Sequence, residues 1–259
     1  MAAEREAAAE TTSLGRRGRS LTALQALAGW TGAGLAVAVL VLPVPYFSVR
    51  LAGDAMLFFV AAPLLLAGVP PAWLRRPLAR PRLRGVLRLL TRPMPAVALF
   101  HILFAVSLLA PYLGTEHGSG LPLAAVRLVL LALSLVMWWP VLSPARALPR
   151  LGTTMQFVYI FVNWLAITAV FGWLLFTPSV GAAYGAGGLF GLRAAQDHEL
   201  GAFALGVVSH VAYAVVGIAV FVRWVRTEEP LSSPWHLYDR VRRAGFDPDE
   251  AEEITGVRR

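Results

Sequence analysis

The sequence predicts an all-α fold: a polytopic integral membrane helix bundle of six transmembrane helices, with both termini on the cytoplasmic side. Three observations carry this reading. The 259 residues are 57% hydrophobic and only 15% charged, with a mean hydropathy of +0.63, too apolar for a soluble domain whose surface must be polar. Six segments reach the roughly 20 mainly apolar residues that a spanning helix needs. The charge is sorted by loop: all 23 basic residues are arginine, and in this six-helix topology twenty of them fall on one side.

The spans lie near 22–44, 51–69, 95–113, 121–142, 155–176 and 199–225. The first follows MAAEREAAAETTSLGRRGRS; its apolar core is too long for a signal-peptide h-region and lacks a clear small-residue cleavage site, so a retained helix is expected. Pro43 and Pro45 close the first span and Pro70 and Pro71 the second. Pro93 and Pro95 open the third, Pro140 and Pro144 close the fourth, and Pro178 follows the fifth, all where a missing N–H costs least. The chain thus divides into a cytoplasmic N-terminal segment (1–20), a six-helix membrane domain (21–226) and a short cytoplasmic tail (227–259).

Orientation follows from the arginines. Arg5, Arg16, Arg17 and Arg19, seven between the second and third spans, Arg146 and Arg150, and seven from Arg223 onward share one side. Only Arg50 and Arg193 fall in the opposite loops, and Arg127 lies inside the fourth span. Short cytoplasmic loops carry the positive excess, so both termini are predicted inside a bacterial plasma membrane. The net charge of +8 is therefore a topology signal and a lipid-facing inner surface, with no nucleic-acid partner expected. Trp73, Trp138, Trp139 and Trp224 near the inner boundary, and Tyr46, Tyr112 and Trp173 near the outer one, suit interfacial aromatic belts.

Two cytoplasmic segments have their own pattern. In PPAWLRRPLARPRLRGVLRLLTRPMP, Arg84, Arg88 and Arg92 recur every four residues while Leu83, Val86, Leu87 and Leu90 fall on other faces, as in a short helix lying in the headgroup layer. Membrane lipids are the expected partner there, either through general orientation or a specific anionic-lipid contact. In the tail, Asp247, Pro248 and Glu250 have the N-cap, N1 and N3 chemistry of a helix start after Gly245.

Polar groups inside the spans carry the remaining information, because burying them is costly and they usually face a partner or a cavity. At about 1.5 Å per residue, Asp54 sits about 5 Å and Arg127 about 9 Å below the outer boundary, at similar depth. Asp197 and Glu199 open the sixth span on the same side, with Glu116 and His117 in the adjacent loop and His198 between the two acids. Asp54, Arg127, Asp197 and Glu199 form a candidate outer-face charge cluster, with Asp54 and Arg127 as a pair that neutralises itself and Asp197 as a helix cap. His117 and His198 are the candidate metal ligands. His101, Asn163 and His210 are isolated intramembrane polar groups whose simplest role is hydrogen bonding across or along helices. Met56, Met94, Met137 and Met155 lack the repeated spacing of a copper-carrying track.

Cysteine is absent, which removes thiolate metal sites, disulfides and cysteine nucleophiles. There is no Walker-type loop, HExxH or serine elbow, and AAYGAGGLFG at 182–191 lacks the strand and helix context of a phosphate cradle, so no enzyme is expected. No inverted repeat favours a secondary transporter.

The order of landmarks resembles the CtaG-type cytochrome c oxidase assembly protein family: MLFFVAAPLLLAGVP, an arginine-rich loop ending LLTRPMPAVALF, then APYL, MWWPVLSP and AAQDHELGA. The resemblance covers roughly residues 25–226 and implies a polytopic protein required for maturing haem-copper oxidase, with an oxidase subunit as partner and help with copper delivery on the outer side. In that family an apolar helix ends in a PLL-G-P turn, matched by Pro63 to Gly68. A WWP element is matched by Trp138 to Pro140, and an Asp-Gln pair by Asp197 with His198. The family's histidines ahead of the PLL turn and ahead of WWP are replaced by Asp54 and Arg127, and the family's WH-P element by Leu109 and Ala110 before Pro111. Against the seven helices common in the family, this chain offers six. Copper is therefore an open ligand here. Three functions remain: an oxidase assembly factor linked to copper delivery, a metal-free membrane scaffold, and a small-solute or ion transporter with Asp54 and Arg127 in its path.

The topology is directly testable in a chain without cysteine. In intact cells, Glu116→Cys and Gly187→Cys should react with a membrane-impermeant thiol reagent and Arg84→Cys should not; labelling of the Arg84 site alone inverts the orientation.

Overall fold

The computed structural model describes residues 2–109, 121–144, 148, 150–177, 187–228, 234–243, 245 and 247–255, with side chains described from residue 22 onward except at 121–122, 227–228, 234–236, 239–240, 251 and 255. Among these, regular structure is helical: α1 Ala2–Val41, α2 Phe47–Ala55, a π-helical segment Met56–Ala61, α3 Ala62–Gly68, α4 Pro71–Ala79, α5 Pro81–Leu90, α6 Pro93–Leu109, α7 Leu121–Leu142, α8 Thr153–Phe176, α9 Ala194–Glu228, α10 Pro234–Arg243 and α11 Pro248–Thr255. Five helical stretches are long and apolar enough to cross a membrane: Thr22–Val41, Phe47–Gly68, Leu123–Leu142, Thr153–Phe176 and Ala194–Arg226. A sixth arises if α5 and α6, which meet at a 72° bend, count as one broken span.

The chain forms two compact units, Met1–Tyr213 and Ala214–Arg259. In the second, Asp247 and Glu250 make both bonds of a capping box, Glu250 N–H to Asp247 Oδ1 at 2.9 Å and Asp247 N–H to Glu250 Oε2 at 3.1 Å. That is the chemistry the FDPDE stretch announces.

In the first unit the second span begins at Phe47, four residues before the expected start. Tyr46 is the N-cap, in the β region, and Phe47 is the first helical residue. Arg50 is consequently not a loop residue: it lies on α2 and is 1% exposed. The last span likewise starts early, at Ala194, which places Asp197 and His198 inside its first turns. The arginine-rich connection holds two short helices, α4 and α5, where one was expected.

The π segment shapes the core. Ala62 N–H reaches back five residues to Leu57 O, and the next donor in that register is Pro63, which has no N–H. Phe58 O is the carbonyl left over. Ser134 Oγ at 2.6 Å and Trp138 Nε1 at 3.0 Å, one turn apart on α7, both donate to it. A carbonyl unsatisfied in a bilayer costs several kcal/mol, so the Pro63 defect is tolerated because α7 covers it. Trp138, 1% exposed, is thus a core anchor and not the interfacial ring its position suggested. Aromatic contacts extend the layer from Phe58 to Phe100 and Phe104, and from Trp138 to Tyr213. Tyr159 O–H donates to Met137 O at 2.6 Å.

On the other side of α3, helix α1 approaches at backbone distance. A Cβ added at Gly68 would fall 2.2 Å from Gly29 Cα, so this crossing requires glycine at 68, while a Cβ at Gly29 would be tight at 3.3 Å from Gly68 Cα.

The shared carbonyl makes a sharp prediction. Ser134→Ala or Trp138→Phe alone leaves Phe58 O one donor and costs about 1 kcal/mol, whereas the double variant orphans it and loses about 1–3 kcal/mol more than the sum. Unfolding in detergent should show this excess; strictly additive losses would mean that the two donors do not share an acceptor.

Candidate functional site

The polar groups of the first unit meet along the first two turns of α2. Arg127, 3% exposed on α7, donates from Nε to Asp54 Oδ1 at 2.7 Å. Its Nη1 donates to Val39 O at 3.1 Å and its Nη2 to Arg50 O at 3.3 Å. Val39 is near the C-terminus of α1, and the residue whose N–H would reach its carbonyl is Pro43, which has none. Arg127 therefore caps α1 while it pairs with α2. Arg50 sits on the other side of the carboxylate, Nε to Asp54 Oδ2 at 3.6 Å, and its Nη2 donates to Ser107 O of α6 at 2.9 Å. One carboxylate and two guanidiniums thus tie α1, α2, α6 and α7 together, all at 3% side-chain exposure or less for the ion pairs.

Six residues before Asp54, about 9 Å along the helix, Ser48 makes the second contact. Its N–H donates to Asp197 Oδ2 at 3.1 Å and its hydroxyl to Asp197 Oδ1 at 2.5 Å. Leu189 N–H donates to the same Oδ1 at 3.0 Å. Ser48 N–H is one of the donors that α2 leaves without an intrahelical acceptor, so Asp197 does cap a helix, but α2 and not its own. The start of α9 is served instead by Gln196 Oε1, which accepts from Arg193 N–H at 3.1 Å. The close approach needs a glycine: a Cβ at Gly201 would lie 2.9 Å from Ser48 Cα. His198, fully buried, stacks on Phe47 at 4.7 Å and 7°, and its Nε2 bonds Leu174 O of α8 at 2.6 Å.

The remaining sequence candidates do not join this node. Glu199 is exposed. His101 bonds Val97 O through Nδ1 at 3.0 Å, one turn back on α6. Asn163 donates to Tyr159 O at 2.7 Å, and His210 contacts Gly206 O at 2.6 Å and Thr168 Oγ1 at 3.1 Å. Glu116 and His117 lie outside the described residues. Ser48 and Arg50 are the partners that sequence reasoning missed. The Arg50–Asp54 spacing of four residues was a readable signal; the use of Ser48 by a residue 149 positions away was not.

With this geometry in place, comparison with known proteins is informative. The model of the family described as cytochrome c oxidase caa3 assembly factor (Caa3_CtaG) matches residues 8–227. The chain belongs to that family. No curated protein and no solved structure matches the chain. In this chain the PLL and WWP stretches meet at Phe58 O, which Pro63 leaves without an N–H donor and which Trp138 Nε1 bonds.

Whether the node fits copper depends on its donors. Asp54 offers two oxygens already facing guanidiniums; His198 Nε2 bonds Leu174 O, and its buried Nδ1, without a hydrogen-bond partner, is a single imidazole donor. Among the described residues no group of three His, Asp or Glu side chains could hold a metal ion. Cu(I) prefers thiolate and thioether sulfur, with imidazole next, and a guanidinium at 2.7 Å from the carboxylate repels any cation placed there. These residues do not fit a copper ion.

Charge arithmetic orders the variants. Asp54→Asn leaves two buried guanidiniums and no acid, and breaking a buried pair in this way costs about 3–5 kcal/mol. Arg127→Gln leaves Asp54 beside Arg50 and should cost less. The double variant should recover a substantial part of the Asp54→Asn loss in denaturant unfolding; additive losses would show that the side chains are not coupled.

Proposed function

We propose that this protein assists assembly of a haem-copper cytochrome c oxidase as a metal-free membrane scaffold, presenting a fixed helix arrangement to an oxidase subunit in the bacterial plasma membrane, with both termini cytoplasmic. The observation that carries the reading is the three-way contact of Arg127 with Asp54, Val39 O and Arg50 O, one bond from each guanidinium nitrogen. Where the family resemblance leads one to look for histidines, this chain has a guanidinium whose donors go to two neighbouring helices. Such a group fixes geometry and excludes a cation.

The work is then done by the protein's own rigidity. Asp54, Arg50 and Asp197 each connect α2 to a different partner element, so α2 cannot shift without breaking several charge-assisted bonds at once. A client subunit inserting beside this unit meets one conformation instead of an ensemble, which lowers the ordering cost of association. Copper reaches the oxidase by other means in this account.

Two measurements in one strain test it. Deleting the gene should lower oxidase activity, and excess copper in the medium should not restore it; full rescue by copper would support delivery. The protein purified in detergent should hold far less than one copper per chain. Stoichiometric copper that disappears on His117→Ala with His198→Ala would overturn the metal-free reading.

A further inference from the structure

We propose that α4 and α5 form a built platform for anionic phospholipid headgroups, independent of the buried node. The platform begins with its seating. Leu78 and Leu148 are buried together, with Leu74, Leu87 and Trp139 packed against them, so the two short helices are fixed to the end of the helical unit by their apolar sides. Thr91 closes α5 with its hydroxyl on Leu87 O at 2.7 Å, and the chain then turns 72° into α6. With α6 following the membrane normal within the usual tilt of about 20°, α5 lies close to the membrane plane.

The face left outward is cationic and apolar in alternation. Arg75, Arg76, Arg80, Arg82, Arg84 and Arg88 are all exposed, and so is Arg92 beyond α5. Between them Trp73 is 74% exposed, Val86 55% and Leu89 56%. No acidic residue occurs between Asp54 and Glu116 in the whole sequence, so nothing in this stretch neutralises the seven guanidiniums. The positive charge of each guanidinium attracts the phosphodiester of an anionic headgroup. An exposed indole ring on α4 and two exposed aliphatic side chains on α5 suit the boundary between headgroups and acyl chains. An acidic protein surface would satisfy the charge but leave the three apolar groups without a reason to sit among the arginines.

The test uses the full chain in nanodiscs of phosphatidylcholine containing a minority of phosphatidylglycerol. After detergent extraction, mass spectrometry should find phosphatidylglycerol retained in preference to phosphatidylcholine. Each surface arginine contributes about a fivefold preference for an anionic surface, so Arg82→Gln with Arg84→Gln and Arg88→Gln should reduce the enrichment by about a hundredfold, whereas the matching triple lysine variant, which keeps the charge, should retain it. Soluble glycerol phosphate should not displace the lipid, because it gives Trp73, Val86 and Leu89 nothing to bury. Unchanged enrichment in a triple glutamine variant that keeps the wild-type unfolding temperature would overturn the proposal. So would a photo-crosslinker at Val86 that captures protein in intact cells and no lipid.

Discussion

An arginine inside a membrane helix has five N–H donors and no water to receive them, and this constraint organises the first unit. Such a side chain is costly to bury inside a membrane, and Arg127 is met by acceptors from neighbouring elements. They are the carboxylate of Asp54, the Val39 carbonyl made available by Pro43, and the Arg50 carbonyl within α2. The positions of α1, α2 and α7 follow from satisfying one side chain.

The same logic recurs one layer further in. Pro63 removes a donor within the second span, the π segment displaces the bonding register, and Phe58 O is offered to α7, where Ser134 and Trp138 take it. α7 thus holds the second span twice, by charge at Arg127 and by neutral hydrogen bonds a few turns on. Asp197 adds a third fastening by capping α2 from α9. Each fastening uses a backbone group that a proline or a helix end has left unpaired. This suits a medium in which unpaired groups are expensive.

Much of this was legible in the sequence, because hydrophobic length, proline placement and arginine asymmetry are local properties. The spans themselves, the capping box at Asp247 and Glu250, and the similar depth of Asp54 and Arg127 could all be read that way. The misses were of two kinds. Hydropathy starts the second span at the first apolar run and leaves Arg50 in a loop, whereas the helix itself starts at Phe47. Trp138 and Asp197 were given roles at their own helix ends, the interface for one and a local cap for the other, because sequence spacing carries no information about which neighbour has a free carbonyl or N–H. The π segment was invisible for the same reason: MLFFVAAP fits an α-helix and a π-bulge equally well until the partner at Ser134 is known.

The central claim is that the buried charges act by holding the unit in shape and not by handling copper. Oxidase activity per copy of folded, membrane-inserted protein, measured across variants of Asp54, Arg127 and Ser48, tests this most directly. The account predicts that activity per folded copy stays near the wild-type level, so that losses of activity follow losses of folded protein. A variant present in wild-type amount and fully folded, yet without oxidase activity, would contradict it.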